Sequence, residues 1–291
     1  MAEREFMAER EFAKLSRRRF LGMSAASLSL LAVSPRLWSS SAAQLQPGLQ
    51  LYTLRDLMAK SVPDTLKLVA EVGYKEVEFA GYFDHKPQLL REIMADLGLS
   101  APAAHMPLEA MQENFDNVLE TALKLKHHYL VVPYLNEQQR DSLDKYKKLA
   151  AQMNVWGEKC AEAGIKLAYH NHDFEFTSMD KQIPYHVLLA ETDPKNVVME
   201  LDLYWTVKAG RDPLHYFKKH PGRFPLWHLK DMSSKGDFAD LGEGTIDFAK
   251  ILAGAELAGF KHGFVERDHS PDPVETIRRG FGALTSLGLA G

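Results

Sequence analysis

The chain has 291 residues, of which 45% are hydrophobic and 25% charged, and its formal net charge is -4. This composition is typical of a globular protein and excludes a disordered, collagen-like or coiled-coil chain. There is no global positive field to hold nucleic acid. The single cysteine, Cys160, excludes an internal disulfide and a multi-cysteine metal site.

The N-terminal segment has the features of an export signal. Ser16-Arg17-Arg18-Arg19-Phe20-Leu21-Gly22 opens an uncharged run that ends at Val33, and Ser41-Ala42-Ala43 follows. This apolar run is shorter than the about 20 residues that a membrane-spanning helix needs. It resembles a bacterial twin-arginine signal peptide. We expect residues 1–43 to be cleaved and residues 44–291 to be exported folded, to the periplasm or beyond, without stable membrane insertion.

From Leu49 onward, short β-rich runs alternate with longer segments of helical period, which is the pattern of a parallel sheet built from βα units. Prolines near helix starts and glycines just past helix ends support this division. The predicted strands are Leu49 to Leu54, Glu76 to Phe79, Ala103 to Met106, His128 to Pro133, Ile165 to His170, Val197 to Asp202, Leu226 to Lys230 and Gly263 to Glu266.

Eight βα units in about 250 residues match the size of one (β/α)8 barrel. A doubly wound sheet is disfavoured, because neither G-x-G-x-x-G nor G-x-x-x-x-G-K-[ST] occurs in the sequence. The predicted fold is therefore α/β, a single-domain TIM barrel.

Polar residues of catalytic type stand at the carboxyl ends of most predicted strands, which is where such barrels place their chemistry. Because side chains alternate along a strand, His170 and His172 share one face, as do Glu200 and Asp202, and as do His228 and Lys230. The charged and histidine residues at these strand ends are Glu78, His105, His170, His172, Glu200, Asp202, His228, Lys230, Asp231, Glu266, Arg267 and Asp268.

Imidazoles and carboxylates that converge without cysteine predict a site for Mn²⁺, Mg²⁺, Co²⁺ or Zn²⁺. Each residue also has a simpler interpretation. A lone histidine at a strand end is usually a hydrogen-bonded core residue, Glu78 fits a salt-bridged rim residue, and Asp202 fits a helix cap. The metal prediction depends on ligand-type residues ending four successive strands.

Several motifs resemble the sugar phosphate isomerase/epimerase family of the xylose isomerase-like barrel superfamily. They are Leu51-Tyr52-Thr53-Leu54-Arg55-Asp56, Tyr169-His170-Asn171-His172-Asp173-Phe174-Glu175-Phe176, Leu201-Asp202-Leu203-Tyr204-Trp205, His228-Leu229-Lys230-Asp231 and Leu241-Gly242-Glu243-Gly244-Thr245-Ile246-Asp247-Phe248. The resemblance covers the whole chain after the signal segment.

The resemblance implies a divalent metal, Mn²⁺ first, with ligands at the ends of strands five to eight. By position these are His170, Asp202, His228 and Glu266. His170 departs from the glutamate that is usual there, so Glu175, five residues further on, stays open as the alternative ligand.

The implied reaction is removal of a proton next to a sugar carbonyl and metal stabilisation of the resulting enediolate. Glu266 is expected to be a ligand that doubles as the base, with Glu78 or Lys230 as the acid. The substrate-binding set is His105, His172, Trp205 and Arg267.

Return of the proton gives epimerisation or isomerisation, and loss of a β-substituent gives dehydration or elimination. Export favours an unphosphorylated keto-sugar, inosose or 3-keto-glycoside as the substrate. The expected partner is thus a small sugar and not nucleic acid, and homo-oligomerisation is left open.

Two other classes stay open. One is a noncatalytic periplasmic sugar-binding or partner protein, which the departure at His170 keeps in view. The other is an endonuclease IV-like phosphodiesterase. It is disfavoured because Trp205 stands where a histidine ligand is expected and because the chain is acidic.

Overall fold

The computed structural model describes residues 45–290. The predicted signal peptide and its arginine motif lie outside the described residues. No helix in the described part of the chain combines the length and apolarity required to cross a membrane.

Eight parallel strands close into a barrel, which confirms the predicted fold. They are β1 (Gly48–Gln50), β2 (Glu76–Ala80), β3 (Ser100–His105), β4 (Tyr129–Val132), β5 (Lys166–His170), β6 (Val197–Asp202), β7 (Leu226–Leu229) and β10 (His262–Val265). Each strand pairs with its neighbours along the chain, and β10 closes the barrel against β1.

The barrel strands are connected through helical segments. The α-helices are Arg55–Met58, Val62–Val72, Pro87–Leu97, Leu108–Leu125, Leu143–Glu162, Pro184–Glu191, Leu203–Lys208, Pro213–Lys219, Phe248–Leu252, Ala255–Ala258 and Pro273–Ser286. Short 3-10 helices cover Leu51–Leu54, Glu137–Gln139 and Phe174–Phe176. The prolines predicted near helix starts lie in the first turns of four α-helices, where a missing N–H costs no hydrogen bond.

Most strand bounds differ from the predicted ones by one to three residues, as β3 begins at Ser100 and not at Ala103, and two differences are larger. The first strand stops at Gln50 and not at Leu54, because the Gln50 side chain accepts a hydrogen bond from the backbone N–H of Tyr52 and starts a 3-10 helix. After β7, a small antiparallel hairpin, β8 (Asp231–Met232) and β9 (Phe238–Ala239), was not predicted. Its strands are only two residues long, which is too short for a periodic signal.

The interior of the barrel is layered. A lower layer is apolar and consists of Ala103, Val131, Ala168, Val198, Leu226 and Phe264. Two residues further along five of these six strands the interior side chain is polar, as Ala103 is followed by His105 and Val198 by Glu200. Strand alternation therefore stacks a polar layer directly on an apolar floor.

Candidate functional site

The polar layer is centred on the buried carboxylate of Glu200 in β6. Its Oε2 lies 2.6 Å from His105 Nε2, 3.2 Å from His170 Nδ1 and 3.2 Å from His228 Nε2. One ligand atom from each of these four residues lies within 4.8 Å of the other three. Three imidazoles and one carboxylate at such separations form a donor set suited to a divalent metal.

A second group, Asp202, His228 and Glu266, shares His228 with the first. His228 Nδ1 lies 2.8 Å from Glu266 Oε2 and 3.8 Å from Asp202 Oδ2. Strand register produces this arrangement, because Asp202 is paired directly with His228. The two ring nitrogens of His228 thus face different carboxylates.

Lys230 forms ion pairs with three carboxylates. Its Nζ lies 2.9 Å from Asp202 Oδ2, 2.6 Å from Glu266 Oε2 and 2.7 Å from Asp268 Oδ1. The side chain is 1% exposed. A buried cation of this kind offsets the cost of burying the carboxylates around it.

Glu78 closes the site on the β2 side. Its Oε2 accepts a hydrogen bond from Gln50 Nε2 at 2.8 Å and lies 2.8 Å from His228 Nε2. Its other oxygen, Oε1, and Oε1 of Glu200 are buried without a hydrogen-bond partner. Unpaired buried carboxylate oxygens are costly, and a bound cation would satisfy them, so the residues present fit a metal.

The carboxylates of the site differ in their proton affinity. Burial raises the pKa of Glu78 to about 7, and repulsion from Glu200 adds to this, while His105 and His228 oppose it. Burial also acts to raise the pKa of Glu266, but Lys230 and His228 outweigh it and hold that pKa well below its usual value. The site therefore holds one carboxyl group that can take up a proton, Glu78, and one that stays ionised, Glu266.

Burial and neighbouring charges also compete at the basic side chains of the site. Burial acts to lower the pKa of Lys230, yet Asp202, Glu266 and Asp268 raise it well above its usual value. For His170, burial and the neighbouring His228 lower the pKa to about 3. His170 is therefore a neutral imidazole, which is the form that binds a metal.

Aromatic side chains border the site on the β5 and β6 side. The His172 ring stacks on Phe174 at a centroid distance of 5.2 Å and an angle of 4°, and it lies 5.3 Å from Trp205. Nδ1 of His172 and Nε1 of Trp205 are buried without hydrogen-bond partners.

Two residues of the predicted site, Arg267 and Glu175, form their ion pair or hydrogen bonds with residues outside both metal-ligand groups. Arg267 follows β10 and pairs with Asp240 at 2.6 Å through Nη1. Glu175, the alternative to His170, instead accepts hydrogen bonds from the Tyr169 hydroxyl at 2.6 Å and from the His172 backbone N–H at 2.8 Å. The structure therefore brings together Glu78, His105, His170, Asp202, His228, Lys230 and Glu266.

Sequence reasoning placed Glu200 on the correct face and Asp268 at the end of the eighth strand but gave neither a role, and it missed Gln50. Glu200 had a usable signal, since it precedes Asp202 by two residues on a strand that ends in ligand-type groups. Gln50 had none, because the first strand was expected to continue to Leu54.

Comparisons with known proteins match this architecture. The family model described as xylose isomerase-like TIM barrel matches residues 66–286. An inosose dehydratase of Geobacillus thermodenitrificans is 24% identical over 242 residues, which cover 70% of this chain and 80% of that protein.

Two solved structures are similar. A sugar phosphate isomerase/epimerase from Parabacteroides distasonis has a TM-score of 0.73 and 25% identity, with 85% of this chain and 100% of that chain covered. The IOLI protein, whose crystal structure holds a zinc atom, has a TM-score of 0.67 and 18% identity, with coverages of 84% and 98%. At that identity the second likeness concerns the fold alone.

The relatives are a dehydratase and an isomerase/epimerase, so the prediction of a sugar isomerase-like enzyme is confirmed at this level. The family model covers most of the barrel, from the first long helix to the last. The chain therefore belongs to the xylose isomerase-like TIM barrel family.

Proposed function

We propose that this enzyme uses a divalent metal to act on an unphosphorylated keto-sugar, inosose or 3-keto-glycoside, by removing a proton from the carbon next to a carbonyl. The observation that carries this proposal is the convergence of imidazoles and carboxylates at the carboxyl ends of β3, β5, β6, β7 and β10. The inosose dehydratase relative supports the substrate class.

The metal would be held by His228, which belongs to both groups, and by three further residues, for which there are two candidate sets. The set proposed from the family pattern is His170, Asp202, His228 and Glu266, and it draws on both groups. His105, His170, Glu200 and His228 form the alternative. Lys230 already neutralises Asp202 and Glu266, which supports the alternative. We propose Mn²⁺ as the ion, with Mg²⁺, Co²⁺ and Zn²⁺ as competitors. A bound ion would supply Lewis-acid stabilisation of negative charge on the substrate.

The protein groups for proton transfer lie on opposite sides of His228. Glu266, which His228 and Lys230 keep ionised, is the proposed base. Glu78, with an unpaired Oε1, is the proposed acid, and the Lys230 ammonium is the alternative acid. A separate base and acid within one site suit enolisation.

The proposed sugar contacts are His105, His172, Trp205 and Arg267. His172 and Trp205 combine ring faces with unpaired N–H or nitrogen groups, a combination that suits the mixed apolar and hydroxyl surface of a sugar. The dehydratase relative favours loss of a β-hydroxyl as the outcome over epimerisation.

We also propose that the chain is exported by residues 1–43, which supports an unphosphorylated substrate. The test is fractionation of cells that express the full chain and an Arg17→Lys/Arg18→Lys variant. The parent should reach the periplasm and the variant should stay in the cytoplasm. Equal distribution of both would contradict export by the twin-arginine route.

Deuterium exchange tests the reaction itself. The Mn²⁺-loaded protein is incubated in D₂O with a ketohexose, an inosose and a 3-keto-glucoside, and deuterium incorporation at the carbon next to the carbonyl is followed by NMR. We expect exchange with at least one of these compounds and none with the Asp202→Ala/His228→Ala variant. Exchange confined to sugar phosphates, or exchange that persists in the variant, would overturn the proposal.

A further inference from the structure

Glu175 is a completely buried carboxylate that the proposed reaction does not use. It lies in the 3-10 helix Phe174–Phe176, just beyond the end of β5. Its Oε1 accepts a hydrogen bond from the Tyr169 hydroxyl at 2.6 Å, and its Oε2 accepts one from the backbone N–H of His172 at 2.8 Å. Both acceptors are thus directed at the strand end that carries the site histidines.

Glu175 lies on the outer side of β5 and not in the barrel interior. Tyr169 and His170 are neighbours on β5, so their side chains point to opposite faces of the strand. His170 faces the groups inside the barrel. Tyr169 instead packs in the larger apolar core, which is separate from the apolar layer inside the barrel. Glu175 bonds to Tyr169 and therefore approaches His172 from the outside.

The backbone at His172 needs such a partner. The strand β5 ends at His170, and the register with β6 ends at the pair His170 and Glu200, so the N–H of His172 lies beyond the sheet hydrogen bonds. A buried N–H without an acceptor is costly. The Glu175 carboxylate is the acceptor that the sheet does not provide.

The same short turn also fixes the His172 ring. Phe174 stacks on it at 5.2 Å, and His170 meets it edge-on at 5.1 Å and 80°. Its backbone is tied to Glu175 and its ring to Phe174, so both attachments come from the turn that follows it. A packing role alone would not call for a carboxylate, since burying its charge is costly unless both oxygens are paired.

We propose that Glu175 is a positioning residue: its carboxylate holds the His172 backbone N–H and so sets the place of the His172 imidazole at the mouth of the barrel. Because the carboxylate contacts the Tyr169 hydroxyl and a backbone N–H, it acts through His172 and not on the sugar or the metal directly.

Histidine NMR tests this inference without any substrate. The full chain is labelled with ¹⁵N-histidine, and the His172 amide and ring signals are identified by their loss in His172→Gln. In Glu175→Leu, which removes both acceptors at similar volume, the His172 signals should shift. In Glu175→Gln they should remain near their parental positions, because the amide oxygen can accept from the N–H while the amide nitrogen donates to the Tyr169 oxygen.

Tyr169→Phe is the matched control. It removes the hydroxyl contact but leaves the carboxylate bonded to His172, so the His172 signals should stay in place. Unmoved signals in a folded Glu175→Leu protein, or equal shifts in Tyr169→Phe, would overturn the proposal. Should Glu175→Leu fail to fold, Glu175→Met gives the same decision, because its flexible side chain fills a similar volume and also removes both acceptors.

A second measurement, which rests on the proposed function, gives the consequence for binding. By titration calorimetry of the Mn²⁺-loaded protein with the best exchanging sugar, Glu175→Leu and His172→Gln should each weaken binding about tenfold. The double variant should be no weaker than either, because coupled residues are not additive. Absence of sugar binding by the parent would refute the proposed function and leave the NMR result to decide the role of Glu175. Additive losses would overturn the coupling to His172.

Discussion

At the scale of single residues, the site follows from alternation along each strand. His170, Glu200 and His228 all stand two residues beyond an apolar interior side chain, so the sequence predicted which groups share the barrel mouth. It did not predict which groups pair. The contact of Lys230 with Asp268, for example, depends on how two strand ends curve towards each other, and no local pattern encodes this.

Glu266 is the proposed base, and we expect Glu266→Gln to lower deuterium exchange by about 10²- to 10⁴-fold, the usual contribution of a general base. An amide cannot accept the substrate proton although it has the same shape. Exchange rates measured by NMR under saturating sugar give the result. Glu243→Gln, an exposed carboxylate paired with Arg279, is the control and should exchange at the parental rate. Parental exchange in Glu266→Gln would exclude Glu266 as the base.

Lys230 neutralises buried carboxylates, so Lys230→Met should destabilise the metal-free protein. We expect a loss of about 3–5 kcal/mol in unfolding free energy, because Asp202 and Glu266 lose their buried cation. Added Mn²⁺ should then raise the melting temperature more in the variant than in the parent, since it replaces the missing charge. Urea unfolding in EDTA and thermal melts with Mn²⁺ measure both effects. An equal metal response in the two proteins would show that Lys230 and the metal do not share these carboxylates.

At the scale of secondary-structure elements, strands and helices were predictable where the hydrophobic pattern extended over enough residues. The helix Pro273–Ser286 begins with a proline directly after the capping residue Asp272, and it has an apolar face. The first strand was predicted too long because Leu51 and Leu54 are apolar in either conformation. The capping hydrogen bond from Tyr52 N–H to Gln50, which ends the strand, is a side-chain interaction that hydrophobic spacing does not report.

Replacement of two glycines in the helix Pro273–Ser286 by alanine should have opposite effects on the free energy of unfolding. A Cβ at Gly280 would lie 2.6 Å from Val265 Cγ1 and 3.1 Å from the Tyr74 hydroxyl, whereas a Cβ at Gly282 meets nothing within 4 Å. We expect Gly280→Ala to cost about 1–3 kcal/mol through overpacking and Gly282→Ala to stabilise by about 0.5–1 kcal/mol. Urea denaturation measures both. Equal effects would contradict the packing of this helix on β10.

His127, in the loop before β4, contacts β3 and the loop after β2 and should make stability depend on pH. Its Nδ1 lies 2.6 Å from the Ala101 carbonyl in β3, and its Nε2 lies 3.1 Å from the Tyr82 hydroxyl. Burial lowers the pKa of His127 to about 4. The unfolded chain, in which the pKa is about 6.5, therefore takes up a proton first as the pH falls. Stability should decrease from pH 6.5 towards pH 4, by at most about 3 kcal/mol from this residue.

The comparison of parent and His127→Gln isolates that contribution. The stability advantage of the parent at pH 7 should shrink as the pH approaches 4.5, because the variant has no group to protonate there. His215→Gln, at an exposed position, is the control and should follow the parental curve. A parental advantage that is constant from pH 7 to 4.5 would contradict the lowered pKa.

At the scale of the whole molecule, eight βα units of regular length predicted a closed barrel, and the structure of residues 45–290 has that topology. The barrel brings together strand ends that are distant in sequence, as Glu78 and His228 are 150 residues apart. Such closure can be predicted from the count of units. The choice between two overlapping ligand groups cannot, because it depends on separations of an ångström between side chains.

The metal content of the purified protein tests the central claim most directly. The parent, His228→Ala and His172→Ala are incubated with Mn²⁺, Mg²⁺, Co²⁺ or Zn²⁺, desalted and examined by elemental analysis. His228 belongs to both ligand groups, so we predict about one equivalent of metal in the parent and in His172→Ala, and none in folded His228→Ala. A folded parent that retains no ion, or a His228→Ala protein that retains as much as the parent, would contradict the account.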